Sequence, residues 1–106
     1  MTSQCKAFLD RCVMFRRNGF MLRNKVGGAI AVGGVRNGGQ ELTIQAVQTA
    51  MLVQDMVVVS EGRPTSHYGA TLWSGHPDGI EKDVFGLETA RNLGKRVTEV
   101  AARMHG

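Results

Sequence analysis

The run VGGAIAV, Val26–Val32, passes directly into GGVRNGGQE, Gly33–Glu41. Val26–Val32 is apolar on both faces, as a strand of a parallel sheet is when helices cover both sides. Its glycines let a helix or a ligand come close to the backbone. Val32–Glu41 then holds four glycines in ten residues. Inside regular structure each costs roughly 0.5–1 kcal/mol relative to alanine, so the cluster marks a turn or a backbone that approaches something closely. Gln40–Gln54 follows as a helix: Ile44, Val47 and Met51 form one row, with Ala46, Ala50 and Val53 beside it. Glu41 falls in its first turn, where the helix dipole favours negative charge. Strand, glycine loop and helix N-terminus in that order aim backbone N–H groups at the point where an anion or a carbonyl oxygen can be held.

On the amino-terminal side, Cys5, Phe8, Leu9, Cys12 and Val13 recur at helical spacing, with Thr2 or Ser3 as N-cap. Arg11–Lys25 reads as a basic loop with the Asn18-Gly19 turn signal. On the other side, MVVV, Met56–Val59, is a second β-branched strand. Glu61–Ile80, with two prolines and several glycines, reads as a long irregular loop. Asp83 caps a last helix, whose apolar stripe is Leu87, Ala90, Gly94, Val97, Ala101 and Met104. The predicted order is helix, strand, helix, strand, long loop, helix: an α/β fold with parallel strands and right-handed crossovers. Ligands in such sheets bind beyond the carboxyl ends of the strands. Both Val32–Gly39 and Glu61–Ile80 are expected on that rim.

The 106 residues form one domain, 42% hydrophobic, with a net charge of +4. That mild basicity permits anionic partners without requiring nucleic acid, and no basic run alternates with aromatics as in a single-strand platform. Cys5 and Cys12, on one helix face, are too few for a disulfide framework and read as buried thiols of a reducing compartment. His67, His76 and His105 lack metal-ligand spacing and read as surface residues, so no metal site is expected. MTSQCKAFLD lacks the basic start and apolar middle of a signal peptide, and no apolar run approaches the roughly 20 residues of a membrane span. The expected setting is cytoplasmic, away from membrane.

Five stretches in order carry a resemblance: KAFLDR, GGVRNGGQE, QDMVVV, HYGAT and GLETARNLGKRV. They resemble the carboxyl-terminal half of flavodoxin-like FMN proteins of the iron–sulfur flavoprotein and NADPH-dependent FMN reductase family. The multimeric NAD(P)H:quinone reductases share GGQE and YGAT at the same places. The resemblance covers nearly the whole chain. It implies a partial flavodoxin-like domain over 1–106, with the first three strands, the loop that holds the FMN phosphate and the four-cysteine cluster motif outside these residues. The iron–sulfur cluster is thus not encoded here. Weak or no FMN binding is expected of the chain alone. Strand Val26–Val32 is expected to pair with another copy, giving a homo-oligomer, or with a separate amino-terminal half, because an open apolar edge is a pairing hazard.

The resemblance places Gly33, Gly34, Val35, Arg36 and Asn37 beside the isoalloxazine ring, where backbone donors stabilise negative charge on reduced flavin. Tyr68 and Gly69 match the YGA loop near the same site. Gln40 and Glu41 are expected to hold the glycine loop and the helix start, and Trp73 is expected to be a loop anchor or a subunit contact. No side chain is assigned a catalytic role. Gln54 stands where the quinone reductases place a histidine, so that function has no carrier here. The implied function is an FMN-dependent oxidoreductase or electron-transfer module with NAD(P)H as a candidate donor. The alternative is a flavin-free remnant that self-associates as an interaction or structural protein.

Overall fold

The computed structural model describes all 106 residues. Helix α1, Ser3–Arg11, starts at Thr2, whose side chain accepts the Cys5 N–H at 3.2 Å. A short helix α2, Val13–Arg17, follows within what the sequence suggests is a basic loop. The apolar run forms two parallel ladders, β1 at Val26–Gly27 and β2 at Ile30–Gly33. Then come α3, Gln40–Leu52, and β3, Val57–Val58. A fourth strand, β4 at Ala70–Trp73, lies inside the segment predicted as irregular. A 3-10 turn at Ile80–Lys82 leads to α4, Val84–His105.

β1 pairs with β3 and β2 with β4, both parallel. The carbonyls of Lys25, Gly27, Ala29 and Gly33 accept from the N–H groups of Val57, Val59, Ala70 and Ser74, respectively. All four acceptors are odd-numbered. Backbone groups in a strand alternate between its two edges, so β3 and β4 lie end to end along the same edge of one extended segment, Lys25–Gly33. The Val59–Gly69 stretch is an excursion between two parts of one pairing position. Val26, Gly28, Ile30 and Val32 face the other edge, which no strand of this chain pairs.

The core has two parts, one on each face of the sheet. On one face Ala29, Ala31 and Ile44 cluster, with Val47 and Met51 against them. On the other, Ala70, Leu72 and Leu93 cluster under Leu87, Ala90 and Val97 of α4. These are rows the periodicities of both helices announce. The outer edge of β4 is closed by side chains instead of a strand. Thr89 Oγ1 accepts the Thr71 N–H at 3.1 Å, and Asp83 Oδ2 accepts the Trp73 N–H at 2.8 Å. The opposite edge has no such cover, and Ile30 and Val32 stand 57% and 56% exposed beside it. Of the two cysteines, Cys12 is buried and Cys5 half-buried, both as free thiols.

Candidate functional site

Gly33 ends β2, and Gly34–Gly39 forms an exposed loop at the carboxyl end of the sheet. Gly39 sits in the left-handed region at φ +86°, a conformation that favours glycine, and starts α3 without a side-chain cap. Gln40 does the holding. Its buried amide donates to the carbonyls of Val35 at 2.7 Å and Leu72 at 3.3 Å, and its Oε1 accepts the Gly38 N–H at 2.8 Å. The indole of Trp73 donates to the Gly34 carbonyl at 3.1 Å. Gly75 packs so closely that a Cβ there would strike that same carbonyl oxygen. The loop is therefore fixed from three directions.

Its N–H groups are not used. Gly34, Val35, Arg36 and Asn37 present four successive backbone donors that no acceptor of this chain takes up. A side chain at Gly34 would meet only open space. Donors held by a rigid frame and left without a protein acceptor suit the polar edge of a planar heterocycle.

Arg36 bends back from this loop and pairs with Asp83, whose side chain is wholly buried. The Arg36 guanidinium also lies 5.3 Å from the centre of the Trp73 ring. Burial pushes the Asp83 carboxyl up. The hydrogen bonds from the Trp73 N–H, Arg36 and the Gly86 N–H, with the Arg36 charge, outweigh that and hold it below its ordinary value. One carboxylate thus ties together the end of β4, the start of α4 and the glycine loop. The sequence marks Asp83 only as a helix cap; its hold on Arg36, 47 positions away, has no local signal.

An open cleft of about 740 Å³ runs from Arg36, Asn37 and Gln40 to His67, Thr71 and Phe85. His67 is half exposed, and its ring is held: Nδ1 lies 3.2 Å from Glu61 Oε1, and the buried Glu61 carboxylate also accepts the His67 backbone N–H. The ring meets Phe85 edge-on at 6.3 Å.

The expected site residues divide. The structure brings Gly33–Asn37 together at the carboxyl rim. Tyr68 and Gly69 lie just before β4, whose first residue pairs with Ile30, three positions before Gly33. At about 3.3 Å per residue Ala70 lies roughly 10 Å down the sheet from Gly33, and Gly69 and Tyr68 precede it. Gly69 packs under Ala29 and Ile44, and the Tyr68 carbonyl accepts from Gln48 Nε2 at 2.6 Å. The expectation that the whole Glu61–Ile80 segment leaves the carboxyl end of a strand fails because β4 runs through it. The rim partners of the glycine loop are Trp73, Ser74 and Gly75 instead. No group of three or more His, Cys, Asp or Glu residues is arranged to hold a metal ion, and no helix is long and apolar enough to cross a membrane.

A parallel α/β sheet with a rigid glycine loop at its carboxyl rim, presenting open backbone donors, defines a nucleotide- or flavin-type scaffold. The family model for NADPH-dependent FMN reductase matches residues 1–71, and the chain belongs to that family. It is 52% identical over 100 residues to an iron–sulfur flavoprotein of Methanocaldococcus jannaschii, covering 94% of this chain and 51% of that protein. It is 42% identical over 98 residues to an iron–sulfur flavoprotein of Methanosarcina thermophila, covering 92% and 48%. A quinone-type NAD(P)H dehydrogenase of Rhodopseudomonas palustris is 34% identical over 118 residues, covering 100% of this chain and 59% of that protein. The chain thus spans about half the length of the curated relatives it matches. These are flavoprotein oxidoreductase relatives, as the ordered sequence stretches imply.

Proposed function

We propose that this chain supplies the ring-side wall of an FMN-dependent oxidoreductase or electron-transfer module, with NAD(P)H as its electron donor. The observation that carries the reading is the row of four unpartnered N–H groups on Gly34, Val35, Arg36 and Asn37. Gly33, Gly34, Val35, Arg36 and Asn37 then contact the isoalloxazine, with Gly34 giving it room to approach. Bound flavin supplies the hydride or electron chemistry. The chain's own part is electrostatic: fixed donors favour negative charge on the ring without reorganising when it appears. Gln40, Trp73 and Asp83 keep the donors in place.

The test is a titration with FMN and with lumiflavin, the same ring without a phosphate, read by amide NMR. Both ligands are expected to move the Gly34–Asn37 amides to similar extents, because the contact proposed for this loop is with the ring, which the two ligands share. Amides at Gly34–Asn37 that stay still with both ligands would sink the reading.

A second reading is favoured by the open edge of Val26–Val32 and the exposed Ile30 and Val32. In it the chain is a flavin-free, self-associating interaction protein. Under either reading we infer that the edge is covered in use, by a second copy or by a strand of an amino-terminal half. Sedimentation separates the two. A colourless dimer that ignores FMN, and that I30K/V32K disperses to monomer, supports self-association. A protein that is monomeric at every concentration and pairs only when an amino-terminal half is co-expressed supports the completed flavin module.

A further inference from the structure

The Val59–Gly69 excursion builds a second polar site, away from the glycine loop. A groove of about 580 Å³ is lined only by polar residues and glycine, among them Ser60, Glu61, Arg63, Ser66, Lys95 and Arg96. The turn that forms one wall is held firmly. The Ser66 N–H donates to the Gly62 carbonyl at 2.7 Å, and the Gly62 N–H to Ser60 Oγ at 3.3 Å. Asn92, from α4, donates to Thr65 Oγ1 at 3.3 Å. Glu61 is fully buried, and its Oε1 accepts the His67 N–H. The opposite wall is α4.

The charges in this groove are only partly matched. Arg96 pairs with Glu99 at 3.2 Å. Arg63 and Lys95 pair with no acid, although both line the groove. Two uncompensated cations with the hydroxyls of Ser60 and Ser66 suit a phosphate group. Glu61 adds a second feature. It lines the same groove, and its buried Oε2 has no hydrogen-bond partner. A carboxylate oxygen left so costs free energy unless a donor reaches it. Bare phosphate does not meet that need well; a hydroxyl carried beside the phosphate does.

We propose that this groove binds a phosphorylated, hydroxyl-bearing small molecule, of the sugar phosphate or nucleotide class. Its phosphate lies between Arg63 and Lys95 with the serine hydroxyls, and a neighbouring hydroxyl donates to Glu61. The site is separate from the glycine loop. α4 begins at that loop's rim, where Asp83 accepts the Gly86 N–H, and Asn92–Glu99 lies about 9–20 Å further along the helix axis.

The probes are ribose 5-phosphate, inorganic phosphate and ribose, titrated into the chain and followed by the amide signals of Ser60, Gly62, Ser66 and Lys95. Ribose 5-phosphate is expected to give saturable shifts, inorganic phosphate to bind about tenfold more weakly, the worth of one hydrogen bond to a charged group, and ribose to give none. R63A and K95A are each expected to weaken ribose 5-phosphate about tenfold by removing a charged contact. R11A, the same charge change on α1, should leave it unaltered. E61Q is expected to abolish the preference for ribose 5-phosphate over phosphate. Adenosine 2′-phosphate as a further arm separates the sources: tighter binding than ribose 5-phosphate assigns a nucleotide, equal or weaker binding a sugar phosphate. The proposal is overturned by non-saturable shifts, by equal affinity for the two phosphates in the unmutated chain, or by R63A and K95A behaving like R11A.

Discussion

Replacing Asp83 by alanine is expected to destabilise the chain by about 3 kcal/mol, through a lost helix cap and an unsatisfied backbone donor. The side chain is wholly buried and accepts from the Trp73 N–H at 2.8 Å and the Gly86 N–H at 3.1 Å. Its removal strands the first at the edge of β4 and the second in the first turn of α4. Arg36 contributes less to this loss, because its side chain is 44% exposed and its guanidinium returns to water when unpaired. In a domain of this size the change lowers Tm by about 15 °C or more. Asp83→Asn keeps one acceptor oxygen and is expected to cost less than half as much. Thermal unfolding of both variants checks the order. An alanine variant as stable as the asparagine one would remove Asp83 from the frame of the glycine loop.

The same carboxylate sets an acid limit. Its folded pKa lies below the ordinary value of 3.8. The unfolded chain therefore takes up this proton first as pH falls, and folding stability drops. The Asp83 contribution is fully present above the ordinary value and is lost between it and the lower folded value. Asp83→Asn should flatten the stability profile in that window and leave it unchanged near neutrality apart from a constant offset. The change is read by urea unfolding at stepped pH.

The parts of the fold legible in the sequence are those whose signals are local. Periodicity places Ile44, Val47 and Met51 on one face of α3, and Leu87, Ala90 and Val97 on one face of α4, where both sets pack. Thr2 and Asp83 announce their caps by residue type. β4 is different. Ala70–Trp73 has four residues between Gly69 and Ser74, no sustained alternation, and a neighbourhood rich in turn formers. Its strand character comes from the carbonyls of Ala29 and Gly33, some 40 positions earlier, which no local window contains. The position of Tyr68 and Gly69 along the sheet follows from that pairing and not from the composition of their segment. The Asp83–Arg36 pair has no local signal for the same reason: it joins elements whose neighbourhood is set only by the ladder register.

Gly75→Ala is expected to act directly on the glycine loop. Its new Cβ would occupy the place of the Gly34 carbonyl oxygen and crowd the Trp73 indole nitrogen. The backbone must give way, at a cost of about 2 kcal/mol, typical of overpacking. What gives way decides the outcome. β4 is fixed by its ladder to β2 and by Asp83, whereas Gly34–Asn37 has no backbone donor bonds to break. The loop should therefore move, and the hydrogen bond from Trp73 Nε1 to Gly34 should open. Trp73 is the chain's one tryptophan, so its emission reports the change without a label. A red shift and easier quenching by iodide are expected, with the far-ultraviolet circular dichroism unchanged. Lumiflavin should then lose its effect on the Gly34–Asn37 amides, because the donors are no longer held in place. If Gly75→Ala is destabilised yet leaves both tryptophan emission and the lumiflavin response intact, the contact at Gly34 is packing alone and the loop's donors owe their geometry to Gln40.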